Sequence, residues 1–125
     1  MISGQGGWVV GLALLLLTGR VFPAGTDWLS KIDALVRQAA TQGETEVLVV
    51  LAEKADVRGA ASLGRKQDKG AHVFQCLSTT AERSQAELRQ FLESGGHAYR
   101  PFWIVNMIWV RGDAELIESL ARRRP

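Results

Sequence analysis

The stretch "YRPFWIVNMIWVRGD", Tyr99 to Asp113, constrains this chain more than any other part of it. It is apolar on both alternations, rich in β-branched and aromatic residues, and nearly free of turn punctuation. Such a run is too long for one buried strand and has the wrong composition for a helix. It predicts two adjoining strands, about Ala98–Trp103 and Val105–Arg111. Pro101 cannot donate to a ladder, which places the first of them at a sheet edge. Gly112 stops the second, and Asp113 is positioned to cap a following helix, Ala114 to Arg124, with Leu116, Ile117 and Leu120 on its apolar side.

Upstream, "EVLVVLAEKAD" (Glu46 to Asp56) is another β-branched run. Val47, Val49 and Leu51 point one way and Leu48 and Val50 the other, so the strand has two apolar faces and belongs at the centre of a sheet. "VRGAASLGRKQDKG", Val57 to Gly70, reads as a loop or weak helix. After it, Val73, Leu77, Ala81, Ser84, Leu88, Phe91 and Leu92 fall on one helical stripe. Glu82, Arg83, Glu87, Arg89 and Glu93 lie on the wet side, and Gly95-Gly96 ends the helix through a left-handed cap.

Ahead of these elements, Thr26 to Thr45 reads as a lead-in helix and linker. Asp27 can cap it, and Trp28, Ile32, Leu35, Val36 and Ala39 follow at helical spacing. Trp8 to Leu17, "WVVGLALLLL", is shorter than the roughly 20 apolar residues a bilayer-spanning helix needs. It fits the apolar core of a secretory signal, with Ala24-Gly25 as small residues near a cut, or alternatively an uncleaved anchor. Met1 to Gly25 is therefore expected to stand outside the fold, and the working compartment to be secreted or cell-envelope.

The resulting organisation is a leader over 1–25, a lead-in segment over 26–45 and one α+β domain over 46–125. The order strand, helix, strand, strand, helix is that of a ferredoxin-like βαββαβ sandwich with the final strand apparently missing. Two helices cover only one face of such a sheet. Leu116 and Leu120 put Ile108 and Val110 on the helix side, which turns Met107 and Trp109 away. With Leu48 and Val50 they would form an apolar face, and a large exposed apolar patch marks an interaction surface. The alternative is that the lead-in helix folds over it, with Trp28 and Leu35 as cover.

Charge and chemistry narrow the function. With 15 basic and 13 acidic residues the net charge is only +2, which demands neither nucleic acid nor an anionic membrane. Arg122, Arg123 and Arg124 form the one basic cluster and suit a helix C-terminus. Cys76 is the single cysteine, so it closes no disulfide within the chain. His72 lies one helical turn before it, a weak hint of a base beside a thiol. No nucleophile elbow, phosphate loop or metal-ligand spacing is present. His97 reads as a turn residue. The sequence reads as a non-enzyme with no cofactor.

Glu46 to Pro125 resembles the propeptide, or inhibitor, domain that precedes the catalytic domain of secreted bacterial subtilisin-like serine proteases. The stretches that carry the likeness are "EVLVVLAEKADV", "TTAERSQAELRQFLE" and "YRPFWIVNMIWVRGDAELIESLARRRP", about two-thirds of the chain. The resemblance implies an intramolecular chaperone that templates folding of the protease and then inhibits it, docking its open sheet face on two protease surface helices. Asn106 stands where the family places an acidic or amide residue that caps those helices, and its other reading is a plain turn residue. Trp103, Asn106, Met107 and Trp109 are thus the candidate protein-interface residues, with Trp103 free to turn either way at the strand break. The implied partner is a subtilisin-like serine protease catalytic domain. No nucleic acid or small-molecule cofactor is implied, and a membrane only through an uncleaved leader. The family pattern continues past "ARRRP" into a last strand, so the strand at Glu46–Ala52 would keep an exposed edge. Other readings are a stand-alone protein-binding or inhibitor module of the same fold, a fragment of a longer precursor and, more weakly, a small-molecule-binding domain.

Overall fold

The computed structural model describes residues 13–17 and 27–123. Most of the expected leader, together with Arg124 and Pro125, lies outside the described residues. The chain is α+β. Its strands are β1 (Ala13–Leu17), β2 (Thr45–Leu51), β3 (Ala98–Phe102) and β4 (Met107–Gly112), and its α-helices are α1 (Ala34–Ala40), α2 (Lys66–Ser94) and α3 (Ala114–Arg122). Short 3₁₀ turns occupy Asp27–Lys31 and Arg58–Ser62. The sheet order is β1-β2-β4-β3. β4 is antiparallel to both neighbours, so β2 and β3 run the same way with β4 between them and α2 as the crossover.

The alternation expected of the strands sets the two faces. Val47 pairs with Val110 and Val49 with Ile108, and all four are buried. They meet Leu88 and Leu92 of α2, Leu116, Ile117 and Leu120 of α3, and Val36 and Ala40 of α1. Each of the valine, leucine and isoleucine side chains contributes on the order of 1.5–3 kcal/mol on leaving water. All three helices therefore cover one face. The lead-in helix does not fold over the other: Ile32 and Val36 enter the shared core while Leu35 stays 65 % exposed.

α1 starts later than the sequence suggests. Asp33, not Asp27, supplies its cap, accepting from Leu35 N at 2.8 Å. The lead-in is tied instead to the far end of the chain. Lys31 Nζ donates to the carbonyls of Ala121 and Arg123, which lack partners at the end of α3. Arg122 lies over the Trp28 ring at 4.6 Å, and Arg123 over Phe91 at 3.8 Å. These two arginines act as clamps rather than as a merely solvated helix end.

α2 begins at Lys66 and runs through Gly70, so the last part of the segment Val57 to Gly70, readable as a loop or weak helix, is helix. Asp68 in its first turn suits the positive end of the helix and pairs with Arg65, and a glycine inside a helix costs only about 1 kcal/mol. Its end is as expected. Gly96 takes φ +68°, His97 N donates to Leu92 O and Gly96 N to Glu93 O, both pairs of a Schellman cap.

β4 begins at Met107 rather than Val105, because Trp103–Asn106 are consumed in the turn. Ala13–Leu17, expected to lie outside the fold, pairs in parallel with β2 from Ala13–Val47 to Leu17–Leu51. The edge of β2 offers backbone donors and acceptors, and this segment satisfies them.

Candidate functional site

The sheet face that no helix covers among the described residues is built by register. Leu48 sits opposite Trp109, which sits opposite Arg100, while Val50 sits opposite Met107, which sits opposite Phe102. Cross-strand partners share a face, so these residues form two adjacent rows across β2, β4 and β3. Each is at least partly exposed. Leu48, Val50, Met107, Trp109 and Phe102 make its apolar part. The rim is charged. Trp109 Nε1 points to Glu46 Oε2 at a long 3.4 Å, Arg111 faces Glu44 at 3.5 Å, and the Arg100 guanidinium lies 5.6 Å from the centre of the Phe102 ring.

The structure brings Met107 and Trp109 together and separates Trp103 and Asn106 from them. Trp103 turns toward α2 and meets Phe74 edge-on, ring centres 4.8 Å apart. With Ile104 (67 % exposed) and Val105 (51 %) it makes an apolar turn tip away from the sheet face. Asn106 turns inward. Its Nδ2 donates to Glu53 O at 2.9 Å and to Ser84 Oγ at 2.8 Å, and its Oδ1 accepts from Gln85 Nε2 at 2.9 Å. The oxygen that would cap a partner's helix is thus engaged within the chain. Asn106 holds the turn in place.

Two residues important to this surface were not singled out from sequence. Phe102 joins Met107 through its place opposite it, a signal present in the alternation once the turn is placed. Gln85, only 1 % exposed, also donates to Phe102 O at 2.9 Å and so ties both ends of the turn to α2. A buried glutamine on a helix stripe carries no sequence signal that distinguishes it from a solvated one.

Elsewhere, the His72–Cys76 proximity is real. Sγ lies 3.5 Å from Nε2. Among the described residues no group of three His, Cys, Asp or Glu is placed to hold a metal ion. Among the described residues the one clearly perturbed carboxyl is Asp56. The Arg58 side chain first, and then its backbone N–H, hold it below the usual carboxylate range. The Glu82, Glu87 and Glu93 carboxylates form no acid–base pair: Glu87 meets Arg123, and Glu93 accepts from Tyr99 OH. Comparison of the chain with family models, with curated proteins and with solved structures returns no match.

Proposed function

We propose that this chain is a prodomain of a secreted subtilisin-like serine protease, a non-enzymatic folding assistant and inhibitor that docks its uncovered sheet face on the catalytic domain. The observation that carries the reading is the one-sided packing. Three helices crowd one face, while Leu48, Val50, Phe102, Met107 and Trp109 lie half-buried on the other, where no helix among the described residues packs. Apolar faces of this kind serve as interaction surfaces, and large aromatics are their usual anchors. The split crossover, with β4 between β2 and β3, supports a ferredoxin-like sandwich. In this reading Met107 and Trp109 belong to the docking face, Gln85 and Asn106 hold its turn, and Trp103 lies to one side.

The test is direct. The purified chain is mixed with a secreted bacterial subtilase, and residual peptide hydrolysis and the yield of refolded protease are both measured. Slow, saturable inhibition and a raised refolding yield are expected. A folded sample that changes neither quantity refutes the proposal.

A further inference from the structure

A groove of about 330 Å³ runs between α2 and the outer strand β3, on the side of the sheet opposite the uncovered face. That volume is at the lower end of the range of small-molecule sites. Ala81 and Pro101 line it, the Phe74–Trp103 pair adds aromatic surface, and Ser78 and Arg89 add polar groups about three helical turns apart.

Two observations point to a ligand. Arg89 Nε is buried and has no hydrogen-bond partner, and Arg89 lines this groove. Native structures seldom leave such atoms unpaired, because the desolvation cost is not repaid. Arg89 is half-buried, and among the described residues no carboxylate pairs with it. A partly desolvated guanidinium with no counter-ion selects an anion, best a planar carboxylate. Glu82 stands on the groove rim two helical turns away and repels an anion there, so the charged end of a ligand belongs at Arg89.

The rest of the groove is apolar, and its length is set by the helix. Eleven residues separate Ser78 from Arg89, roughly 16 Å at ~1.5 Å per residue, which suits a hydrocarbon tail on the order of ten carbons. An added peptide strand fits less well, because Pro101 removes a donor from the edge it would pair with.

We propose that this groove binds an apolar carboxylate of the medium-chain fatty acid type, with its carboxylate on Arg89, its chain along Ala81 and Pro101, and its tail against Phe74 and Trp103. The proposal does not depend on the protease reading, since it uses the other side of the sheet.

Equilibrium dialysis of labelled decanoate against the full chain tests it, with folding of every variant checked by circular dichroism. One decanoate per chain is expected. Arg89→Gln, which removes the charged partner, and Ser78→Phe, which fills the groove, should each weaken uptake about ten-fold or more. Decanol should bind the unaltered protein at least about ten-fold more weakly than decanoate, an arm that needs no variant. Trp109→Ala, on the opposite face, should leave uptake unchanged. Equal uptake by every folded variant means adsorption to exposed apolar surface and overturns the proposal. No uptake of millimolar decanoate by the folded chain overturns it too. So does displacement of decanoate by lower concentrations of a trileucine peptide with a free carboxylate, which would make the site a peptide site.

Discussion

Replacing Gln85 by methionine separates hydrogen bonding from packing at the turn that borders the sheet face. The Gln85 amide donates to Phe102 O and to Asn106 Oδ1, both at 2.9 Å, with Met107 O a weaker third contact at 3.4 Å. Methionine keeps the length and most of the volume, so little cavity opens. Two acceptors lose their donor. Asn106 cannot recover by flipping its amide, because its nitrogen is already given to Glu53 O and Ser84 Oγ. A stranded buried acceptor costs about 1–3 kcal/mol. With two of them in a site where Gln85 is 1 % exposed, we expect a loss of about 3 kcal/mol. In urea, with a slope of about 1–3 kcal/mol per molar, the midpoint should fall by roughly 1 M or more. The exposed neighbour Ala86, changed to Gln, should move stability by no more than about 0.5 kcal/mol. A double-mutant cycle of Gln85→Met with Asn106→Ala should show a coupling of about 1 kcal/mol or more. A Gln85→Met protein as stable as the parent, or strict additivity in the cycle, would refute the network argument.

Three further outcomes are expected. Asp113 Oδ1 accepts from Leu116 N at 2.9 Å, so Asp113→Ala should cost about 1 kcal/mol in chemical denaturation, with Asn or Ser restoring most of it. Trp109→Ala should weaken inhibition of a subtilase by about 2 kcal/mol, close to thirty-fold, while far-ultraviolet circular dichroism stays unchanged. The Asp56 carboxyl is held below its ordinary value of 3.8 by Arg58, so this pair contributes above that value and is lost as pH falls through the lower folded value. A carboxyl-carbon titration should find its midpoint below 3.8, moved up by Arg58→Ala and by added salt, since both partners are exposed.

Much of this arrangement is legible in the sequence because strand alternation carries geometric meaning. A period of two separates Ile108 and Val110 from Met107 and Trp109 without reference to any partner, and the structure keeps that separation. Gly95-Gly96 and Asp113 are equally readable, since a left-handed cap and an N-cap are local events. What escapes is long-range and polar. The helical stripe shows where α2 faces inward, but the same stripe cannot tell that Gln85 meets two strand ends or that Arg89, assigned to the wet side, lines a groove. Asn106 looks like a residue offered outward at a turn. Only the approach of α2 and the end of β2 turns its amide inward. The placement of α1 likewise depends on α3, distant in sequence, as well as on β2 and on its own apolar stripe.

That last dependence has a consequence for how the chain is made. Lys31 closes the carbonyls at the end of α3 across 90 residues, and Arg122 closes over Trp28. On a ribosome, the first partner of each pair emerges long before the second. Domains tend to fold from the N-terminus as they appear, but here the earliest helix, which can pack on β2, lacks part of its cover until the latest one exists. A nascent chain paused after β4 can pair its strands and still leave Ile32 and Val36 without their cover from α3. Chaperone capture and proteolysis should concentrate in that interval, and completion of α3 is the step that ends it.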